Sequence, residues 1–390
     1  MKKKICIVTG TRAEWGLLSR LAELIRLDSG LQLQIIATNM HLDPRYGNTY
    51  KEIEEAGFTI DYRVPMNAKG DDAQSTVKSM GNAVSGFADA YQALRPNMLV
   101  VLGDRYEILA AVQAALIFRI PVAHIHGGEI TEGAFDDAIR HAITKMSHLH
   151  FTATEPYRER VIQMGEQPDT VFNVGALGVD NIRQIPLWDK EKTEESLGGF
   201  GLDKKTILVT FHPVTLEEGT AEGQVNELLG ALNEVKDLKI LFTMPNSDTG
   251  NRVIAEKIKD WCDSNRSRAI WFDSLGLKRY LSVLQYIGGV VGNSSSGIIE
   301  VPSFNIPTIN IGDRQKGRTA APSVINCPPK KEDISAALRL LVQGALPMEG
   351  QNPYDKTETA ETIHKILRES NPSLQKHFYD LPCKTSENIL

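Results

Sequence analysis

Short apolar runs alternate with stretches of helical periodicity along nearly the whole chain. KICIVTG, LQLQIIATNM, MLVVLGD, PVAHIHGG and HLHFTAT are rich in β-branched residues and bounded by turn formers. Between them lie amphipathic segments such as Trp15–Arg26 and Ile108–Phe118. Because the runs are continuously apolar rather than alternating, they predict strands covered on both faces, hence parallel sheets in an α/β fold. Around residues 175–205 the pattern breaks into a polar, glycine-rich stretch. A second series then begins with TILVTFHP, LKILFTMPN, AIWFDSL, GGVVGNSSS and PTINIGD. The pattern predicts two Rossmann-like, doubly wound domains joined by a linker near 176–204. A helical stretch and a polar end follow Asn352.

Nearly every strand ends in polar residues: TGTR, TNMH, GDR, HIHGGE, TFHP, MPN, GNSSSG and GDRQKGR. In open α/β sheets, ligands bind beyond the carboxyl ends of the strands. Two such edges facing each other make a cleft, and candidate chemistry is sought there.

The turn Gly10-Thr11-Arg12 opens a helix, where free amides and a guanidinium suit an anion. It is neither GxGxxG nor a P-loop, so it gives no warrant for a dinucleotide. Gly292-Asn293-Ser294-Ser295-Ser296-Gly297 offers hydroxyls and helix-start amides to a diphosphate, with Glu300 placed to accept from ribose hydroxyls. It is not GxSxG. GDRQKGR supplies three more cations to that edge. Asp104 and Arg105 end one strand and read equally as acid/base and anion clamp or as a structural ion pair. His124 and His126 share one face of a strand. Asp136 and Arg140 stand one turn apart beside a helical core stripe of Ile139, Ala142, Ile143 and Met146. An acid/base reading of Asp104, His126 and Asp136 ranks above a metal reading, because the ligand types are mixed without a familiar spacing. His148 and His150 read as structural.

Composition narrows the classes. The chain has 390 residues, 42% hydrophobic and 24% charged, with a formal net charge of −6. That balance argues against a nucleic-acid partner, which needs a concentrated basic face. No apolar run reaches the roughly 18 residues of a membrane span. The four cysteines form no CxxC pair, so neither a disulfide framework nor a thiolate metal site is indicated. A globular cytoplasmic protein is expected.

Taken together and in order, GTRAEWG, TNMH, GDRYE, HIHGGE, DDAIRHAITKMSHLHF, RVIQMGE, TFHPVT, GNSSSGIIEVPS and INIGDRQKGR resemble the hydrolysing UDP-N-acetylglucosamine 2-epimerases of bacterial sialic-acid biosynthesis. The likeness runs from Lys4 to about Tyr354, and the ending HFYDLP resembles the capsule-pathway branch. It implies a glycosyltransferase-B arrangement: a sugar and acid/base domain over 1–178, a UDP-binding domain over 179–365, and a tail over 366–390.

The resemblance also implies roles. Arg12 matches a phosphate-binding arginine. Arg105, His212, Asn246, Ser294, Ser295, Glu300 and Arg314 match UDP contacts, and His41 and His124 match histidines lining the sugar site. Asp104 and Asp136 match catalytic carboxylates. Many relatives have HIEGGE where this chain has HIHGGE, so the proton-transfer role of that glutamate is open to His126 or to Glu129. The implied reaction eliminates UDP from UDP-N-acetylglucosamine to a 2-acetamidoglucal, then adds water to release N-acetylmannosamine, with no metal and no redox cofactor. The family suggests a dimer or tetramer. Three rivals share the architecture. The first is the non-hydrolysing epimerase, whose HVEAG…EExNR pattern is absent here. The second is a hydrolysing epimerase of a UDP-2,4-diacetamido sugar, and the third is a glycosyltransferase.

Overall fold

The computed structural model describes residues 2–66, 70, 72–132, 135–214, 219–245, 251–348 and 350–381. The first series of apolar runs forms a seven-stranded sheet: β1 (Lys3–Thr9), β2 (Leu31–Thr38), β3 (Tyr62–Val64), β4 (Met98–Leu102), β5 (Val122–Ile125), β6 (Leu149–Thr152) and β7 (Val171–Asn173). Its order is β3-β2-β1-β4-β5-β6-β7, and every pairing is parallel. The second series forms a six-stranded sheet: β8 (Thr206–Thr210), β9 (Lys239–Thr243), β10 (Ala269–Phe272), β11 (Gly289–Gly292), β12 (Thr308–Ile311) and β13 (Val324–Cys327). Its order is β10-β9-β8-β11-β12-β13, again all parallel. Interior strands such as β4 are buried along their whole length, because helices cover both faces.

In each sheet the strand order reverses once, between β1 and β4 in the first and between β8 and β11 in the second. At such switch points neighbouring connections leave in opposite directions and open a crevice at the strand ends. GTR and GDR flank the first crevice, FHP and GNSSS the second.

Two expectations about the chain's organisation change. Residues 176–204, read as a linker, hold the helices Leu177–Gln184 and Lys190–Ser196. The terminal helix Thr359–Glu369 returns to the first sheet. Its Ala360, Ile363 and Leu367 are fully buried in the core of Ile5, Ile7 and Leu18. Residues 359–365 therefore pack with the first domain, not with the second to which the span 179–365 had assigned them. Ser370–Leu381 continues along that domain, where the Tyr379 amide donates to the Gly165 carbonyl at 2.9 Å. None of the described helices is long and apolar enough to cross a membrane. Cys6, Cys262 and Cys327 are unpaired thiols, and Cys383 lies outside the described residues.

Candidate active site

A cavity of about 200 Å3 opens between the carboxyl edges of the two sheets. The first domain lines it with Asp104, Arg105, His126, Glu129, Asp136 and Arg140; the second with Ser295, Glu300, Arg314, Gln315 and Arg318.

Local backbone geometry places the first group. Gly103 has φ +78°, a left-handed turn that glycine adopts freely, and it turns the chain sharply at the end of β4. Beyond β5, His126 itself has φ +67°. A left-handed conformation costs an L-residue about 1 to 2 kcal/mol, and here two bonds hold it. The His126 amide donates to the Phe151 carbonyl at 2.8 Å, and Arg140 Nη1 donates to the His126 carbonyl at 3.0 Å. Gly128, at φ +77°, lies so close to the Tyr157 carbonyl that any Cβ would overlap it. The strand end is thus forced to present the imidazole to the cavity.

His126 Nδ1 lies in ion-pair contact, 3.0 Å from Glu129 Oε1; among the described residues neither that oxygen nor the buried Nε2 has a hydrogen-bond partner. Glu129 Oε2 binds Arg318 and lies 3.5 Å from Arg140 Nη1. Burial alone would raise the Glu129 carboxyl; Arg318 first, then His126 and Arg140, hold it well below the usual carboxylate range. Arg140 also binds Asp104. Asp136 opens the helix Asp136–Met146, whose first turn favours negative charge. The Asp137 side chain is engaged elsewhere, accepting from the Thr131 amide at 2.7 Å.

The second domain contributes an anion-binding edge. Gly292, at φ +134°, packs onto the Thr210 carbonyl with no room for a Cβ. Asn293 bonds both backbone atoms of His212, and its carbonyl accepts from Arg314 Nη1 at 3.2 Å and Gln315 Nε2 at 3.0 Å. Glu300 Oε2 is buried without a hydrogen-bond partner among the described residues, and burial raises its carboxyl.

Asp104, Arg105, His126, Glu129, Asp136, Ser295, Glu300 and Arg314 therefore meet in one cavity. Arg12, His212 and Ser294 lie outside its lining. Arg12 pairs with Glu52, and half-buried His212 stands at the end of β8. His41 and His124, expected to line the sugar site, are fully buried and outside the cavity lining. His41 bonds Thr9 at 3.0 Å and Thr49 at 2.8 Å, and burial lowers it to about 4. His124 donates from Nε2 to the Gly103 carbonyl at 2.8 Å, and burial lowers it to about 3. Both are neutral supports of the strand ends. The Gly10 amide, expected to be open to an anion, instead donates to Glu14 Oε2 at 2.6 Å. Asn246 lies outside the described residues. Sequence reasoning named Arg140 beside Asp136 and counted Arg318 among three cations without giving either a role, and it did not single out Thr131 or Gln315. The i,i+4 spacing of Asp136 and Arg140, and the cations of GDRQKGR, were the available signals. Among the described residues, no three His, Cys, Asp or Glu side chains converge as a cation site.

A carboxylate-backed imidazole and two further carboxylates on one wall, with cations and hydroxyls opposite, can move protons beside a departing anion. The UDP-N-acetylglucosamine 2-epimerase family model matches residues 23–368. The chain belongs to this family. The epimerase is 45% identical over 325 residues to a GDP/UDP-N,N'-diacetylbacillosamine 2-epimerase (hydrolyzing) of Campylobacter jejuni, spanning 83% of this chain and 84% of that protein. It is 40% identical to the polysialic acid biosynthesis protein P7 of Escherichia coli, over 98% and 99% of the two chains. A UDP-N,N'-diacetylbacillosamine 2-epimerase (hydrolyzing) of Legionella pneumophila is 36% identical over 94% and 96%. Among solved structures, the UDP-GlcNAc 2-epimerase of Neisseria meningitidis bound to UDP-GlcNAc superposes with TM-score 0.79, over 93% of this chain and 99% of that one, at 17% identity. The epimerase thus has the two-domain, glycosyltransferase-B-like architecture of its structural neighbours.

Proposed function

We propose that the protein is a hydrolysing 2-epimerase of a UDP-linked 2,4-diacetamido sugar, releasing UDP and the free sugar inverted at C2. The observation that carries the catalytic part is His126: beside Glu129, with a buried Nε2 that no described residue hydrogen-bonds, in a cavity shared with Asp104 and Asp136. A base removes the C2 proton. The C1–O bond breaks, its electron pair leaves with the diphosphate, and a 1,2-unsaturated glycal remains. Water then adds its hydroxyl to C1, and a proton reaches C2 from the opposite face. Two differently placed proton-transfer groups are needed, and Asp104, Asp136 and the His126–Glu129 pair supply candidates. The first domain holds the sugar. The second holds UDP, with Arg314, Ser294, Ser295 and His212 at the phosphates and Glu300 at the ribose. Arg12 and Arg105 add charge from the other wall.

The 2,4-diacetamido substrate is favoured over UDP-N-acetylglucosamine by the two bacillosamine epimerases among the relatives. A UDP-N-acetylglucosamine 2-epimerase of Neisseria meningitidis, 31% identical over 98% of this chain and all of that one, favours the second reading, in which UDP-N-acetylglucosamine yields N-acetylmannosamine. Incubation with each UDP-sugar in D2O, followed by NMR of the products, tests both. The expected result is equimolar UDP and free sugar with one deuterium at C2, and a higher kcat/KM for the diacetamido substrate. Product without deuterium at C2, or a product still linked to UDP, overturns the hydrolytic elimination. A higher kcat/KM for UDP-N-acetylglucosamine selects the second reading.

A further inference from the structure

We propose that Arg318 is a positioning residue through which docking of the second domain onto the first sets the protonation of the His126–Glu129 pair. The inference rests on the acid/base reading of this site given above.

Arg318 belongs to the second domain, yet its side chain is buried in the first. Nη1 binds Glu129 Oε2, and Nη2 lies 3.4 Å from Thr131 Oγ1. Only 6% of the Arg318 side chain and 1% of the Glu129 side chain are exposed, so neither charge is screened by solvent. The other oxygen of Glu129 is the one beside His126 Nδ1. A single carboxylate therefore joins a cation of one domain to the imidazole of the other.

The loop bearing Arg318 is fixed at both ends of this path. Arg314 and Gln315 anchor it to the Asn293 carbonyl, at the start of the serine turn proposed to hold the diphosphate. Lys316 and Gly317 dock it on the first domain. The Glu132 amide donates to the Lys316 carbonyl at 3.3 Å, and a Cβ on Gly317 would stand 2.5 Å from Ile130 Cγ2. Movement of the serine turn on binding a diphosphate is thus transmitted to the Arg318 guanidinium.

The electrostatic consequence has a definite sign. Around the pair stand Arg140, itself bound to Asp104, together with His124, Glu300 and Tyr354. Among these groups and Arg318, the cations on Glu129 are Arg318 and Arg140, and Arg140 is shared with Asp104. With Arg318 docked, two guanidinium groups answer the Glu129 carboxylate and compensate its charge. With Arg318 withdrawn, Glu129 is a less compensated anion beside the ring, and the pair keeps its proton to higher pH. Docking thereby leaves Nε2 able to accept a proton when the nucleotide is in place.

The test uses Arg318→Met, Arg318→Lys and Gly317→Ala in the full chain. In Arg318→Met, kcat on the UDP-sugar is expected to fall roughly 100-fold, the scale of a lost acid/base contribution, while UDP affinity by calorimetry falls far less. The acid limb of the kcat profile moves to higher pH. Arg318→Lys restores part of the rate and returns the limb towards its original position. Gly317→Ala, which removes no charge, moves the limb in the same direction as Arg318→Met. NMR of the His126 ring with and without UDP reads the same proton uptake without any turnover, and UDP is expected to lower that pH in the wild type but not in Arg318→Met. An unmoved ring titration in Arg318→Met overturns the inference, as does loss of UDP affinity in step with kcat. Both results stand apart from the substrate assay, whose failure would remove the proposed function instead.

Discussion

Asn293 holds His212 by both backbone atoms: Oδ1 accepts from the His212 amide at 2.7 Å, and Nδ2 donates to the His212 carbonyl at 2.8 Å. The two residues stand where β8 and β11 diverge, so the amide side chain ties together the walls of the second crevice. Asn293→Ala removes both bonds and leaves two half-buried backbone groups without them. A loss of about 1 to 3 kcal/mol in unfolding free energy is expected, together with weaker UDP binding. Asn293→Asp keeps one bond and sets a carboxylate against the His212 carbonyl, so it should be no milder. Denaturant melts and UDP calorimetry on both variants check this. Unchanged stability and affinity would mean that the clamp positions nothing.

Asp104→Asn and Asp136→Asn separate catalysis from structure. If these carboxylates move protons, each variant should retain UDP binding and melting temperature while turnover falls roughly 100-fold or more. If they are ion-pair and helix-terminus groups only, the melting temperature falls instead and the rate per folded molecule holds. Stopped-flow turnover beside calorimetric melting distinguishes the two.

Buried titratable groups give the fold a pH optimum. Burial lowers His41 and His148 to about 4 and His124 to about 3, from 6.5. Between those values the unfolded chain binds protons that the native one refuses, so stability rises with pH up to about 6.5. Burial, reinforced by Glu107, raises Glu14 from 4.5 to about 8. From 6.5 to 8 the native chain keeps a proton that the unfolded one has released, and stability falls. Glu129 and Glu166, both held low, are ionised in either state across this range and add no slope. Maximum stability is therefore expected near pH 6.5, and Glu14→Gln should flatten the fall above it. A variant whose melting temperature falls as steeply as that of the wild type would exclude Glu14 as the source.

Gly178 supplies a test that alters no polar group. A Cβ at this position would overlap Glu300 Oε1, because the helix Leu177–Gln184 packs directly against that carboxyl. Gly178→Ala should push Glu300 out of place and weaken UDP binding to about the extent of Glu300→Gln, within the roughly 1.5 to 3 kcal/mol of a bond to a charged group. Full affinity in Gly178→Ala alongside weak binding in Glu300→Gln would show that Glu300 needs no such support.

The apolar runs marked every interior strand, because a strand covered on both faces has no polar positions to blur the pattern. The strands that escaped notice are β3, β7 and β13. Each is a sheet edge of three or four residues with exposed or half-exposed positions, as in Tyr62-Arg63-Val64. Strand-end motifs led to Asp104, His126 and Glu300 because parallel strands deliver their carboxyl ends to one edge. The resemblance put His41 and His124 at the sugar site, whereas in the structure both are fully buried outside the cavity lining, a distinction that a motif match does not carry. Arg318 was visible as one of three cations, but its partner Glu129 is 189 positions away. Only the docking of the two domains brings them together.

The return of the terminal helix has a consequence during synthesis. Ile363 and Leu367 are fully buried against β1-side residues, each contributing about 1.5 to 3 kcal/mol, and Ala360 bonds through its amide to Asp180 at 3.1 Å. The helix Arg12–Leu27 emerges from the ribosome among the first segments, yet its cover is translated more than 330 residues later. At about 5 to 20 residues per second, that apolar stripe waits tens of seconds for its lid. The N-terminal half thus carries this uncovered stripe until the chain is nearly complete, and a fragment ending near residue 178 would carry it permanently.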